Sequence, residues 1–280
     1  MLSIERDSFR TVVELDNLEV LHARRLTRRY VRHFHTGYAF GVIDEGALGF
    51  DYRGNSLVAG SGNISLVIPG EVHTGYPLDA DGWSYRMLYM QPSSLSAILT
   101  DLGGKPGELP FFPMGVINDR DLADRLRSVH ALLSRPGTPL LEMENNLQTF
   151  LREMVLRYAI NRTSPVRPKA EPVAVKQVRQ YLDENYALDV SIDELCRLTN
   201  LTRYHLVHTF SRQVGLPPFA YQRQVRLQHA REWLREGYSI SMTAALTGFA
   251  DQSHLTRWFK QTWGMTPGEY RNSVQYPLPL

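Results

Sequence analysis

The chain of 280 residues contains a single cysteine, Cys196. One thiol forms neither an intramolecular disulfide nor a cysteine-rich zinc site, so proteins stabilised in those ways are excluded. No run approaches the roughly 18 uncharged apolar residues that cross a membrane. The N-terminus, "MLSIERDSFRTVVELD", is charged from its fifth residue, unlike a secretory signal. We therefore expect a cytoplasmic protein with no membrane partner.

Neither sign of charge is in large excess, since the net charge is +2. It is unevenly divided, with −1 on residues 1–172 and +3 on residues 173–280. This difference permits a nucleic-acid partner for the C-terminal part but does not demonstrate one. The length and the 43% hydrophobic content predict a full core and two domains.

The boundary between those domains is marked by composition. The segment "NRTSPVRPKAEP", residues 161–172, has three prolines and no hydrophobic periodicity. Such a segment is typical of an extended linker. We predict an N-terminal domain over 1–160, a linker over 161–172 and a C-terminal domain over 173–280.

The C-terminal part contains a degraded duplication. "NLTRYHLVHTFSRQVGLPPFAY", residues 200–221, aligns with "GFADQSHLTRWFKQTWGMTPGEY", residues 248–270, at a spacing of 49, while the preceding short helices align at 48. The inserted residue falls near Ala250, in a turn, where it costs little. Each copy predicts a short helix, a turn and a second helix that ends at a Gly followed by a Pro. This is a helix-turn-helix.

The second helix of the second copy separates an apolar face from a polar one. Asp251 is a good N-cap, and Leu255 and Phe259 lie four positions apart on the face expected to be buried. The opposite face carries residue types that hydrogen-bond to base edges and phosphates: Gln252, Ser253, Thr256, Arg257 and Lys260. The polar face of an ordinary solvated helix has a similar composition. The duplication of the helix-turn-helix nevertheless favours DNA recognition.

The segment between the copies, "PFAYQRQVRLQHAREWLREG", predicts one continuous helix. About 18 helical residues span about 27 Å, close to the roughly 34 Å between successive major-groove faces of a duplex. Such a spacer would let one monomer contact two adjacent grooves.

Residues 175–272 resemble the DNA-binding domain of the AraC/XylS family of transcription regulators, chiefly through "TGFADQSHLTRWFKQTWGMTPGEYR". The resemblance implies double-stranded DNA and RNA polymerase as partners, and family habit favours activation. It implies major-groove contacts from Thr202, Arg203, Tyr204, Val207 and His208 in the first helix and from Asp251, Gln252, Ser253, Thr256 and Arg257 in the second. Val207 is apolar, so it either contacts a thymine methyl or contributes nothing.

The N-terminal part predicts short strands followed by helices. The runs "YAFGVI", "GALGFDY", "ISLVIP" and "WSYRMLYM" alternate with Gly, Asn and Pro turns and predict an antiparallel β-barrel or sandwich. "DRDLADRLRSVHALLSR" and "PLLEMENNLQTFLREMVLRYAI" predict two amphipathic helices that serve as core or as homodimer surface. Their apolar stripes are Leu122, Leu126, Val129 and Leu133, then Leu140, Leu147, Leu151, Met154 and Tyr158.

Three histidines, His33 and His35 in "RHFH" and His73 in "PGEVH", resemble the metal ligands of the cupin barrel. The glutamate of that motif is missing, since its place falls on Ala39 or Phe40. We therefore predict no metal and no cofactor, with the three histidines as the candidates if a metal does bind. Candidate effector contacts combine charge and aromatic area on the strands near this segment: Arg32, His33, His35, Tyr38, His73, Trp83, Tyr85 and Arg86.

The resulting prediction is a two-domain α+β protein with a cupin-like N-terminal barrel and an all-α double helix-turn-helix. Its predicted function is a sequence-specific transcriptional regulator that responds to a small-molecule effector and is not an enzyme. One alternative is a metal-dependent cupin enzyme fused to a DNA-binding domain. Another, a DNA-repair methyl acceptor, needs a reactive N-terminal cysteine, whereas Cys196 aligns with Ala244 inside a repeat helix.

Overall fold

The computed structural model describes residues 6–160 and 172–275. These residues divide into two units, an N-terminal one within 6–160 and a C-terminal one within 172–275. The linker predicted over 161–172 lies outside the described residues except for Pro172, so its bounds remain a prediction. Among the helices of the described part, none is long and apolar enough to cross a lipid bilayer.

Within residues 6–160, ten strands form two antiparallel sheets. The six-stranded sheet has the order β1-β2-β9-β4-β7-β10 and the four-stranded sheet has the order β3-β8-β5-β6. The predicted runs at β4, β5, β7 and β9 are confirmed as strands. The bounds, β1 to β10, are Arg6–Val12, Leu18–Leu26, Tyr30–His33, Tyr38–Glu45, Ala47–Tyr52, Asn55–Gly60, Ile64–Val67, His73–Pro77, Trp83–Met90 and Val116–Ile117.

Alternation along the strands divides the apolar residues into two clusters. Tyr38, Phe40 and Val42 of β4 pack with the helices on the outer face of the six-stranded sheet. Residues of opposite parity, such as Ala39 and Tyr85, pack between the two sheets. The helices on the outer face are α1, α2 and α3, at Pro92–Asp101, Arg120–Ser134 and Leu140–Tyr158.

The two predicted amphipathic helices are confirmed as α2 and α3. All four stripe residues of α2 are buried, as are Leu147, Leu151 and Met154 of α3. The ends of the α3 stripe differ from the prediction. Leu140 is 40% exposed, and Tyr158 is half-buried and packs against the edge of the core.

The C-terminal unit is helical, and its elements follow the predicted duplication. The turn in the first copy covers residues 200–202 and that in the second covers 247–251, so the inserted residue lies in a turn as predicted. Gly215 and Gly264 end the two longer helices in the left-handed conformation, with φ of 84° and 71°. The bounds, α4 to α10, are Val173–Glu184, Ile192–Thr199, Arg203–Val214, Pro218–Arg235, Ile240–Leu246, Gln252–Trp263 and Pro267–Gln275.

Candidate DNA-binding and effector-binding sites

The first candidate recognition helix, α6, exposes polar and aromatic side chains. Thr202 is its N-cap and accepts a hydrogen bond from a backbone N–H of the first turn at 3.4 Å. Tyr204 is 76% exposed and stacks on His208, with ring centroids 5.8 Å apart. Arg203 pairs with Asp193 of α5 at 2.9 Å, and both side chains are largely exposed. This face is open to a partner.

The second candidate recognition helix, α9, is capped as predicted, because the Asp251 carboxylate accepts the backbone N–H of His254 at 2.7 Å. Leu255 and Phe259 are fully buried beneath it. Four predicted contact residues are exposed on the other side: Gln252, Ser253, Arg257 and Lys260. The helix therefore presents the donors and acceptors that major-groove contact requires.

Four of the predicted DNA contacts are either half-buried or engaged in capping their own helix. Val207 and Thr256 are half-buried. Thr202 and Asp251 use side-chain oxygens to cap their own helices, which positions the helix N-termini. N-terminal residues of a recognition helix contact bases in this kind of docking, so accurate capping matters for recognition.

One side chain ties the spacer helix α7 to both helix-turn-helix units. Arg226 donates to the backbone oxygens of Tyr186 and Leu188, which precede α5, at 2.6 and 2.8 Å. The same guanidinium donates to the backbone oxygen of Gly248, in the turn between α8 and α9, at 2.6 Å. Gln222 adds a bond to the Leu188 oxygen at 2.9 Å. Neither residue is among the predicted site residues, because Arg and Gln on a long polar helix carry no distinguishing signal.

Two further contacts fix the second unit. Gly248 has φ of +73°, and a Cβ there would lie 2.3 Å from the backbone oxygen of Ala187, so only glycine permits this approach. The guanidinium of Arg223 on α7 lies over the Trp258 ring of α9, 3.5 Å from its centroid. Within the C-terminal unit, the position of α9 is therefore set by α7 and by the loop before α5.

In the N-terminal unit, the structure brings the three predicted histidines together. His33 on β3 is directly opposite His73 on β8, with ring centroids 4.3 Å apart. His35 lies 4.9 Å from each by the same measure. All three are at least 93% buried, and their potential ligand atoms lie within 4.8 Å of one another.

Hydrogen bonds fix two of these imidazoles. Nδ1 of His33 lies 2.7 Å from the Val31 backbone oxygen, and Nδ1 of His73 lies 3.0 Å from that of Glu71. A carbonyl oxygen only accepts, so each Nδ1 carries the proton. Burial lowers the pKa of His33 to about 4, and burial together with His33 lowers the pKa of His73 well below its usual value of 6.5. Both rings are neutral at neutral pH.

Two other predicted effector contacts lie in the same interior. Trp83 and Tyr85 are buried between the sheets, with ring centroids 6.1 Å apart. The indole N–H of Trp83 is buried and has no acceptor among the described residues. Burial raises the pKa of Tyr85 well above 10, so its phenol stays protonated.

Three predicted effector contacts lie elsewhere, because strand alternation sends them to other faces. Arg32 is exposed, one position from His33. Tyr38 is buried on the helix side of the sheet and donates to the Pro110 backbone oxygen at 2.7 Å. Arg86 alternates with Tyr85 and binds Asp44 at 2.9 Å. These three side chains therefore lie away from the interior that holds the histidines, and a contact between them and an effector stays a prediction.

Two aromatic residues outside the predicted set complete the surroundings of the histidines. The Tyr30 ring lies 6.1 Å from His33 and 6.3 Å from Trp83, and the Tyr89 ring lies 5.1 Å from His35. Tyr30 and His33 are three residues apart, which in a regular strand places them on opposite faces. A register shift between them turns both inward, and periodicity alone does not reveal such a shift.

Comparison with known proteins identifies the class that these two units define. Residues 17–150 match the family model of the AraC-like ligand binding domain, and residues 195–273 match that of a helix-turn-helix domain. The chain belongs to the AraC/XylS family and is a DNA-binding transcriptional regulator with a ligand-binding domain. The predicted two-domain α+β architecture is likewise confirmed.

Several particular proteins are similar over most of their length. The HTH-type transcriptional regulator YbfI of Bacillus subtilis is 29% identical over 240 residues, which cover 85% of this chain and 86% of that protein. The lactose operon transcription activator of Staphylococcus xylosus is 21% identical over 239 residues, 82% of each. Unsaturated fatty acid-bound ToxT from Vibrio cholerae, a crystal structure, matches over 100% of both chains with a TM-score of 0.55 and 13% identity. That last likeness shows the fold alone.

Proposed function

We propose that this regulator inserts α6 and α9 into successive major grooves and that a small molecule bound between the sheets of the N-terminal unit controls it. The observation that carries the DNA part is Arg226, which bonds to the loop before α5 and to the turn before α9. Because α6 and α9 are held by one spacer helix, the distance between them is fixed. A single chain can therefore select two short DNA sequences at a fixed spacing.

The exposed side chains of α6 and α9 suit two kinds of DNA contact, one to base edges and one to phosphates. Arg257 and Gln252 on α9 carry the groups that bond bidentately to guanine and adenine edges. Lys260 lies farther along the same face and supplies a cation for phosphate. On α6, the stacked Tyr204 and His208 present an exposed aromatic surface beside the hydrogen-bonding groups of Arg203.

The effector chemistry follows from the two-sheet interior. Trp83 offers an indole N–H with no acceptor among the described residues. The three clustered histidines lie beside the rings of Tyr30 and Tyr89. This interior suits a small molecule with an oxygen acceptor and aromatic or apolar area. ToxT was crystallised with an unsaturated fatty acid, which shows that a similar fold accommodates a molecule with a polar head.

We propose activation of transcription through RNA polymerase as the output, in line with the named activator among the relatives. A homodimer formed through α3 is supported by Leu141 and Leu156, which lie on one side of that helix and are each 67% exposed. The protein acts where DNA is held, in the cytoplasm, and it is not an enzyme. No comparison supports the metal-dependent enzyme alternative.

Two experiments test this function. Selection of DNA bound by the full chain from a random pool should enrich two short motifs about 10 base pairs apart. No enrichment, or a single motif, contradicts the two-reader arrangement. A thermal-shift screen of small oxygen-bearing molecules should yield ligands whose stabilisation is lost in Trp83→Phe, which keeps the aromatic area and removes the N–H. Equal stabilisation of both proteins places the effector elsewhere.

A further inference from the structure

Three of the nine histidines converge at one point of the N-terminal unit. His33 and His73 are cross-strand partners, and His35 follows His33 by two residues. Burial of each is at least 93%, so the cluster is not a chance grouping on a solvated surface. A buried cluster of titratable side chains is a candidate functional site.

The hydrogen bonds of His33 and His73 determine which ring atom is free to bind. Because each Nδ1 donates to a backbone carbonyl, each Nε2 has a lone pair and no proton. Among the described residues, no donor bonds to Nε2 of His33 or His73. Metal-bound histidines have this same arrangement, in which the outer nitrogen donates to a carbonyl or carboxylate and orients the ring.

The distances suit coordination after a small adjustment. Tetrahedral coordination with metal–nitrogen bonds near 2.0–2.1 Å holds ligand nitrogens about 3.3 Å apart. The potential ligand atoms already lie within 4.8 Å of one another, so ring rotation and small strand shifts are enough to close the site. Two neighbouring strands hold two of the rings, which limits the entropy lost on binding.

We propose that His33, His35 and His73 bind one divalent transition-metal ion of the zinc type through three imidazole nitrogens. The glutamate of the cupin motif is absent, but three histidines alone are a sufficient protein ligand set, with the fourth position left to a small ligand. Glu71 does not take that place, since its carboxylate pairs with Arg53 at 3.1 Å and is partly exposed.

The donor set also indicates what chemistry suits the open position. Three neutral imidazoles leave the charge of a divalent ion uncompensated, so an anionic oxygen is the preferred fourth ligand. A carboxylate- or phenolate-bearing effector has this chemistry. This last step rests on the proposed sensor function, whereas the metal site itself does not.

The test is metal titration of the full chain after treatment with a chelator and its removal. Calorimetry with Zn²⁺ should show one equivalent bound, and Co²⁺ should give the intense visible bands of a tetrahedral site. His73→Gln and His33→Gln should each weaken Zn²⁺ binding at least about 100-fold. The control is His205→Ala, which removes an exposed histidine of α6 outside the predicted DNA contacts and should leave the bound equivalent unchanged.

Loss of the bound equivalent in the α6 control, or unchanged affinity in His73→Gln, overturns the proposal. So does a wild-type protein that binds no Zn²⁺, Co²⁺, Ni²⁺ or Fe²⁺ stoichiometrically. X-ray absorption on the wild-type zinc form must show three imidazole nitrogens, a result that does not depend on how well a variant folds. DNA binding of the same samples is measured separately, so failure of the metal site and failure of the regulator function are distinguishable.

Discussion

The guanidinium of Arg226 donates to the backbone oxygen of Gly248 at 2.6 Å. This bond crosses from the spacer helix to the turn that starts the second recognition helix. Since the same side chain also bonds to the loop before the first unit, the separation of the two readers depends on one residue as well as on the length of α7. Three hydrogen bonds from one side chain thus tie both helix-turn-helix units to α7.

Arg226→Met keeps the apolar stem and removes all three hydrogen bonds. We expect a loss of about 2–4 kcal/mol in the free energy of unfolding of the C-terminal unit, because three carbonyl oxygens lose a charged donor. Urea denaturation of the full chain followed by tryptophan fluorescence measures it. Arg212→Ala, at an exposed position of α6, is the control and should change stability by less than about 0.5 kcal/mol.

Gly248→Ala tests the close approach between the units. A Cβ at that position would lie 2.3 Å from the Ala187 oxygen, and φ of +73° disfavours any side chain. We expect destabilisation of at least about 2 kcal/mol. Gly268→Ala is the matched control, since its Cβ meets nothing nearer than 3.6 Å, and it should be neutral or stabilising. Equal effects of the two substitutions would show that the contact with Ala187 is unimportant.

Arg257→Ala and Lys260→Ala should differ in how they weaken DNA binding. Arg257 is placed to contact a base, so its loss should cost about 1–3 kcal/mol at the specific site and relax preference at one base pair. Lys260 is placed to contact phosphate, so its loss should weaken specific and random DNA alike. Binding assays on both DNAs at one salt concentration decide the matter. Equal losses for Arg257→Ala would assign that residue to a phosphate.

The elements that the sequence predicted have strong local signals. Asp251, Gly215 and Gly264 bound helices whose apolar period is regular, so local chemistry determines the start and end of each. The helix α1 was missed because it is short and its N-cap, Gln91, makes no capping bond. The strand β2 was missed because "LEVLHARRL" carries charges that pair or reach solvent only in the folded sheet.

The effector site was less predictable, for reasons of strand register. One residue of slip exchanges the inward and outward faces, and shifts occur both in β3 near Tyr30 and in β4 between Ile43 and Glu45. Arg86 is a candidate effector contact on its chemistry alone, whereas its place in the strand directs it to Asp44. The three histidines do lie together, as the resemblance of their spacing to a known motif implies, while their role in binding stays a prediction.

His130 makes the N-terminal unit sensitive to acid. Its ring lies buried between α2 and β2, and Nε2 lies 3.0 Å from the Leu21 backbone oxygen. Burial first, then the nearby Arg86 and His22, lower its pKa to about 4, against the opposing effects of the hydrogen bond to Leu21 and of Asp44. As pH falls from about 6.5 towards 4, the unfolded chain takes up a proton that the folded protein excludes, so stability present above pH 6.5 is lost.

Between about pH 6.5 and pH 4, we expect His130 to lower the free energy of unfolding by about 3 kcal/mol. Urea denaturation of wild type and His130→Gln between pH 7 and pH 4.5 measures it, and the variant should show the smaller pH dependence. His33 and His73 titrate in the same direction in both proteins, so they do not account for the difference. Identical pH profiles would show that His130 is not responsible.

The central claim is that one chain reads two successive major grooves through two fixed helices, and base-modification interference on a single selected site tests it most directly. With wild-type protein, two interfering segments should appear about 10 base pairs apart on one face of the duplex. With Gln252→Ala and Arg257→Ala combined, one segment should disappear while the other remains, and with Arg203→Ala the opposite segment should weaken. A single interfering segment in the wild type, or loss of both segments in equal measure in each variant, would contradict the account.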